Sequence, residues 1–206
     1  MIQDQALRDV LDQSRDLGLL GPGEVDQHIR HAEQFLGLLS EHTAVLDLGS
    51  GGGVPGLVLA RELSTTSFTL LDAGERRVAF LRAAVRRLEL DERVRVVLGR
   101  AETLARQPEL RETFDVVVAR SFGAPAVTAE CGVGFLSEGG RMLVSEPADV
   151  RDRWPESGLA VLGLREITLH RANGATIREL ARMGTDISEF PRRTGIPARR
   201  PVFETH

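Results

Sequence analysis

The sequence predicts an α/β protein with a parallel sheet, and two observations support that prediction. From residue 43 onward, short apolar runs such as TAVLDL, FTLLD, RVRVVL, FDVVVA and GRMLVS alternate with amphipathic stretches, as strands and helices do in such folds. The first of these runs leads into a glycine-dense turn, VLDLGSGGGVPG, a junction typical of nucleotide-binding α/β domains. With 206 residues, the chain is expected to form one domain, residues 1–206.

Two amphipathic runs predict helices near the first strands. Residues 24–39 follow Pro22 and Gly23 and place apolar side chains at the spacing of one helix face. We therefore expect residues 1–42 to form N-terminal helices. Residues 75–90 show the same spacing, with arginines mostly on the opposite side, which predicts a helix packed on the sheet.

The last third of the chain changes in character. Asn173-Gly174 lies between two strand-like runs, and this pair favours a tight type I′ turn. An antiparallel hairpin is therefore expected to complete the α/β core, residues 43–185. Residues 186–206 contain three prolines and four arginines, which predicts a basic extended tail.

The composition excludes several classes of protein. No apolar run reaches the roughly 18 residues of a membrane span, and the N-terminus is acidic where a signal peptide would be basic. We therefore expect a cytoplasmic protein without membrane contact, and a monomer. A single cysteine, Cys131, and five scattered histidines lack metal-ligand spacing, so no metal is expected. The net charge is −4, so a nucleic-acid partner would have to meet a local basic patch.

The glycine-dense turn permits two interpretations. Counted from Gly51, it satisfies G-x-G-x-x-G, and Asp72 follows 21 residues later, where a nicotinamide enzyme places its ribose-binding acid. Counted from Gly49, it reads D-x-G-x-G-x-G with Asp47 inside the strand. This second form resembles motif I of class I methyltransferases that use S-adenosylmethionine (SAM).

The methyltransferase interpretation accounts for more of the chain. A second strand ends in Asp72, and a third is followed by Gly99-Arg100-Ala101-Glu102. Asp72 has two acceptor oxygens for the ribose hydroxyls, unless it caps the helix that begins near residue 75. Ala101 and Glu102 would flank the adenine, although Glu102 could instead be an acid favoured by the helix dipole.

Several longer segments resemble one family, the bacterial 16S ribosomal RNA guanine-N7 methyltransferases (RsmG or GidB). They are GLLGPGEVDQHIRH, LDLGSGGGVPGLVLA, LLDAGERRVAFLR, GRAE, FDVVVARSF and FPRRTGIPARRP. The resemblance implies a seven-stranded Rossmann-like sheet with helices on both faces. It further implies that SAM is the cofactor and that the partner is 16S rRNA or the small ribosomal subunit.

The resemblance also implies a set of site residues. Gly49, Val54, Ala101, Glu102 and Arg120 match the family's cofactor contacts. Together with the glycine loop and the ribose acid, the expected cofactor-binding set is Asp47, Gly49, Ser50, Gly51, Val54, Asp72, Ala101, Glu102 and Arg120.

Arg120 is the one residue expected to assist the reaction, by positioning. Guanine N7 carries a lone pair and no proton, so methyl transfer requires alignment and no general base. Arg120 could contact the SAM carboxylate, guanine O6 or a phosphate, or it could pair with a neighbouring acid. His31, Trp154 and Cys131 receive no catalytic role in this interpretation.

RNA binding is expected in the tail, through Arg192, Arg193, Arg199 and Arg200, because no acid lies between Glu189 and Glu204. One departure from the family concerns the end of the fifth predicted strand. Where the family has leucine-lysine-glycine, this chain reads Val144-Ser145-Glu146-Pro147. That exchange of a cation for an acid, together with the acidic net charge, leaves open a diverged paralogue that methylates another RNA or a small molecule. A second alternative, of a different class, is a non-catalytic RNA- or nucleotide-binding module.

Overall fold

A computed structural model describes residues 4–41, 43–147, 153–172 and 174–204. The strands are β1 (Ala44–Leu48), β2 (Ser67–Asp72), β3 (Val94–Leu98), β4 (Phe114–Ala119), β5 (Leu136–Glu146), β6 (Leu164–Ala172) and β7 (Ala175–Arg182). The helices are α1 (Gln5–Asp16), α2 (Val25–Leu36), α3 (Gly56–Glu62), α4 (Glu75–Arg87), α5 (Ala101–Leu104), α6 (Pro125–Val133), α7 (Glu156–Val161) and α8 (Ile196–Arg199).

The seven strands form one sheet in the order β3-β2-β1-β4-β5-β7-β6. The first five strands are parallel, and β7 runs antiparallel between β5 and β6. The predicted α/β class, seven-stranded sheet and closing hairpin are confirmed. Gly174 has a φ of 79°, as a tight turn requires, whereas Asn173 lies outside the described residues.

Helices cover both faces of the sheet, and each face has its own apolar core. One core joins α1 to α4 with the sheet, and it includes Leu11, Phe35 and Leu81. The other joins α6 and the C-terminal segment with the opposite face, and it includes Phe135 and Leu162. Because both faces are covered, strands such as β1 and β4 are almost continuously apolar and buried. No described helix is both long and apolar enough to cross a bilayer.

The prediction of an extended tail is wrong for residues 196–199, which form the short helix α8. Pro197 stands in the first turn of that helix, where its missing N–H would have had no helical partner. The segment before α8 is also tied to the domain. The guanidinium of Arg106 donates to the Pro191 carbonyl at 2.9 Å, and that of Arg111 donates to the Phe190 carbonyl at 2.9 Å.

Candidate active site

A cavity of about 640 Å³ lies at the carboxyl ends of the central parallel strands, where α/β sheets bind their ligands. Eight of the nine residues predicted to bind the cofactor line it: Gly49, Ser50, Gly51, Val54, Asp72, Ala101, Glu102 and Arg120. The ninth, Asp47, is not on its surface. Other parts of its wall are the α1–α2 connection, residues 19–21, and Ala198 of α8.

The glycine loop turns sharply out of β1 and leaves room for a ligand. Gly49 and Ser50 both donate their backbone N–H to the Leu71 carbonyl at 2.9 Å, which fixes the loop against β2. Gly51 has a φ of 53°, and a Cβ added there would meet no atom closer than 3.7 Å. The backbone at Gly51 is therefore directly accessible from the cavity, as close approach by a ligand requires.

Asp47 lies beneath this loop, so its assignment as a direct cofactor contact is corrected. The side chain is buried, and its Oδ2 accepts the backbone N–H of Gly56 at 3.0 Å. A Cβ on Gly56 would collide with Asp47 and Leu70, so this glycine permits close packing of helix and strand. Burial raises the pKa of Asp47 to about 7. Asp47 thus shapes the loop from below.

Asp72 is held at the end of β2, with one carboxylate oxygen bonded to the glycine loop and the other to the turn after β2 and to α4. Its Oδ2 accepts from Gly51 N at 2.9 Å, and its Oδ1 accepts from Gly74 N and from Arg77 Nε, each at 2.8 Å. A carboxylate has about four acceptor positions, so capacity for a ribose hydroxyl remains. The N-cap residue of α4 is Gly74, and this helix receives no side-chain cap, which argues against the capping role for Asp72.

Glu102 connects the cavity to the C-terminal segment. Its Oε1 accepts from Arg100 Nη2 and from the backbone N–H of Gly195, each at 3.0 Å. Burial alone would raise the pKa of Glu102, but these hydrogen bonds lower it overall. A charged Glu102 therefore orders the segment that places Ala198 in the cavity wall.

Arg120 directly follows β4, and its hydrogen-bond partner is a histidine. One alternative that the sequence left open was pairing with a neighbouring acid. Arg120 Nη2 contacts His28 Nδ1, while His28 Nε2 lies 3.1 Å from the Gly21 carbonyl. Burial and the nearby Arg120 charge lower the pKa of His28, so the neutral ring accepts from Arg120 and donates to Gly21. The second terminal nitrogen of the guanidinium, Arg120 Nη1, is buried without a hydrogen bond among the described residues.

A second cavity, of about 340 Å³, adjoins the first, and both are lined by residues 120–123. His31, Ser145, Glu146 and Trp154 line the second cavity. His31 Nε2 lies 2.8 Å from Ser145 Oγ, and burial together with the Arg120 charge lowers the pKa of His31 to about 4. The sequence predicted no catalytic role for His31 or Trp154, and Ser145 and Glu146 stood out only as a departure from the family. His28 and His31 nevertheless stand three residues apart in a segment that carried the family resemblance.

The four tail arginines are not equivalent. Arg192 forms an ion pair with Glu130 at 2.6 Å, and the Glu130 side chain is buried. Because Glu130 of α6 neutralises the guanidinium of Arg192, the prediction that Arg192 binds RNA is corrected. Arg193, Arg199 and Arg200 are exposed.

Among the described residues, no group of three His, Cys, Asp or Glu side chains is arranged to hold a metal ion. Cys131 is buried on α6, and burial raises the pKa of its thiol. It therefore stays a protonated, apolar packing residue.

Sequence comparison places the chain among ribosomal RNA methyltransferases. A family model described as GidB, rRNA small subunit methyltransferase G, matches residues 19–163. The ribosomal RNA small subunit methyltransferase G of Deinococcus deserti is 35% identical over 81% of this chain and 71% of its own length. The protein of the same name from Thermotoga petrophila is 34% identical over 77% of this chain and 72% of its own length.

Solved structures show the same fold at low identity. An O-methyltransferase from Bacillus cereus, in complex with SAH, has a TM-score of 0.63 at 18% identity and covers 88% of this chain and 92% of its own. A structure described as a putative O-methyltransferase from Klebsiella pneumoniae has a TM-score of 0.63 at 16% identity and covers 90% and 92%.

Proposed function

Since the chain belongs to the rRNA small subunit methyltransferase G (GidB) family, we propose that it transfers the methyl group of SAM to N7 of a guanine in 16S ribosomal RNA. Because the chain belongs to this family, the nicotinamide interpretation of the glycine turn no longer applies. The observation that carries the proposal is the pair of adjoining cavities, one lined by the glycine loop and the ribose acid, the other by groups suited to a base.

The first cavity fits SAM. Gly51 leaves space at the backbone, and Asp72 offers acceptors for the ribose hydroxyls. Ala101 and Glu102 begin α5 at the end of β3, where they would flank the adenine. When bound, SAM supplies an electrophilic methyl group on a sulfonium centre.

The chain's own contribution to the reaction is alignment. Guanine N7 attacks with a lone pair and loses no proton, so no residue has to act as a base. Arg120 lines both cavities and is held by His28, so it can orient donor and acceptor relative to each other. Positioning of this kind supplies up to ~7–11 kcal/mol in well-oriented reactions.

RNA is bound, in this proposal, by a surface near the first cavity. Arg193, Arg199 and Arg200 stand on the segment that also supplies Ala198 to the cavity wall. Phosphates would bind to these cations through bidentate contacts. In this proposal the enzyme acts as a cytoplasmic monomer. It needs no metal, because guanine N7 needs no activation.

The test is the modification itself. N7-methylguanosine in 16S rRNA would be quantified by mass spectrometry in cells with the gene, without it, and with the gene restored as an Asp72→Ala variant. We expect the modification to disappear in the second strain and to stay low in the third. Unchanged N7-methylguanosine in the strain without the gene would contradict the proposal and favour the diverged-paralogue alternative.

A further inference from the structure

The second cavity contains a buried carboxylate with an unused acceptor. Glu146, the last residue of β5, has a side chain that is 1% exposed. Its Oε1 accepts the indole N–H of Trp154 at 2.6 Å, while its Oε2 is buried without a hydrogen bond among the described residues. Arg153 Nη1 is 3.9 Å from Oε2, too far for a hydrogen bond. An unsatisfied buried carboxylate oxygen is costly, so its retention calls for a ligand or a function.

The same cavity contains an unused donor. Arg120 Nη1 is buried without a hydrogen bond in the described part of the chain, and Arg120 lines this cavity together with Glu146. Arg120 thus places an unpaired donor in the wall that this cavity shares with the cofactor cavity. The cavity presents free acceptor capacity on the side of β5, because each oxygen of Glu146 can accept two hydrogen bonds.

We infer that this cavity binds the guanine base itself, with Glu146 as the residue that reads it; the inference rests on the proposed function and deepens it. Guanine presents O6, N1–H and the N2 amino group in a row: one acceptor followed by two donors. Arg120 would donate to O6, an atom that arginine commonly contacts in guanine, and Glu146 would accept from N1–H and N2–H. Adenine reverses the first two groups, so its amino group would meet Arg120 and its N1 lone pair would meet the carboxylate.

This orientation also serves the reaction. In guanine, N7 lies beside O6 and away from the N1 and N2 donors. A base held by Glu146 therefore directs N7 toward residues 120–123, which also line the cofactor cavity. As the N7–CH3 bond forms and the C–S bond breaks, the electron pair of that bond stays on sulfur and the positive charge passes to the purine. The N1–H becomes a stronger donor, and its bond to Glu146 strengthens during the reaction.

Trp154 is the positioning residue for this contact. Its indole N–H fixes Oε1 of Glu146, and its ring lies 6.4 Å from that of Phe203 and 5.7 Å from the Arg178 guanidinium carbon. Trp154 is also the one tryptophan of the chain. Its fluorescence therefore reports on the surroundings of this cavity.

The experiment uses the full chain saturated with S-adenosylhomocysteine, so that added nucleotides cannot occupy the cofactor cavity. GMP, IMP and AMP are titrated while Trp154 fluorescence is recorded. We expect GMP to bind about tenfold or more tightly than AMP, with IMP between them because inosine lacks the N2 amino group. In Glu146→Gln, which replaces one acceptor by a donor, the preference for GMP over IMP should disappear. Equal affinities in the wild type, or an unchanged preference in the variant, would overturn the inference.

The second measurement is the rate of methyl transfer to small ribosomal subunits. It tests the role of Glu146 even if mononucleotides bind too weakly for a titration. Glu146→Gln should lower kcat/KM by about 10- to 100-fold with unchanged affinity for S-adenosylhomocysteine. The matched control is Glu138→Gln, the same change at an exposed residue near the start of the same strand. Wild-type transfer in Glu146→Gln overturns the inference and leaves the proposed function intact. A GMP preference without any transfer to the subunit supports the cavity assignment while the proposed function fails.

Discussion

The buried carboxylate of Glu130 accepts three hydrogen bonds from Arg192: from its backbone N–H at 2.9 Å, from Nε at 2.8 Å and from Nη2 at 2.6 Å. This relationship separates Arg192, which holds the fold together, from the other three tail arginines. Arg192→Ala should lower the free energy of unfolding by up to about 3 kcal/mol, because it leaves Glu130 buried without its cation. We expect a smaller loss of stability than for a fully buried ion pair, because the Arg192 side chain is partly exposed to solvent. Urea unfolding of Arg192→Ala and Arg193→Ala measures it, and equal stabilities would contradict the assignment.

The other three tail arginines are expected to contribute to the salt dependence of RNA binding. In the triple alanine variant of Arg193, Arg199 and Arg200, the slope of log affinity for RNA against log salt should flatten. The expected change is roughly 0.7 for each phosphate of a single-stranded target that the variant no longer neutralises. Titrations at several salt concentrations measure both slopes. SAM affinity should be unchanged, which separates this effect from damage to the nearby cavity wall. Parallel slopes for variant and wild type would remove these residues from the RNA-binding surface.

Asp72→Ala should weaken SAM binding by about 1.5–3 kcal/mol, roughly 10- to 150-fold, since a charged acceptor for the ribose is removed. Isothermal calorimetry measures the affinity. Asp91→Ala, a change at an exposed loop position, is the control. The Asp72→Ala variant also removes the acceptor for Gly51 and Gly74, so its folding must be verified by thermal unfolding. Wild-type affinity in a folded Asp72→Ala protein would refute the ribose assignment.

Comparing Gly51→Ala with Gly174→Ala distinguishes two effects of an added methyl group: loss of space for the ligand and strain in the backbone. Gly51 and Gly174 both have positive φ values, 53° and 79°, but only Gly51 faces the cofactor cavity. Alanine at either position should lower the free energy of unfolding by about 1–2 kcal/mol. Only Gly51→Ala should also weaken SAM binding. The loop would not be the cofactor site if both variants bound SAM as tightly as the wild type.

The raised pKa of Asp47 predicts a pH dependence of stability. In the folded protein the carboxyl stays protonated up to about pH 7, whereas in the unfolded chain it ionises near pH ~4. Folding therefore takes up a proton between these values, and the free energy of unfolding falls as pH rises from about 4 to 7. Asp47→Asn keeps the acceptor for Gly56 and removes the titration. Its stability should decline less than that of the wild type between about pH 5 and pH 7.5, as urea titrations would reveal; identical declines would contradict the prediction.

Arg120→Ala should fold and lower the rate of methyl transfer by at least about tenfold, because the shared wall of the two cavities loses its donor. If His28 acts only by holding Arg120, adding His28→Ala to Arg120→Ala should cause no further decrease. Turnover and SAM affinity measured separately show which cavity needs Arg120. Additive decreases would mean that His28 has a role of its own.

The sequence by itself determined the fold class, the order of the elements and most of the cofactor cavity. Alternating apolar runs, a glycine-rich turn after β1 and acids at or just after the ends of β2 and β3 are local patterns. In a parallel sheet the carboxyl ends of the strands meet at one edge, so local patterns suffice to bring Gly51, Asp72 and Glu102 together.

Only the tertiary structure decided which polar groups are paired and which are left free. Arg120 lies 92 residues from His28, and Arg192 lies 62 residues from Glu130, separations at which no spacing rule applies. The position of Asp47 beneath the loop and the unused oxygen of Glu146 depend on how helices pack over the strands. Hydrogen bonds and burial between distant segments arise from packing, and they determine whether a charged residue stabilises the fold, binds a ligand or faces solvent.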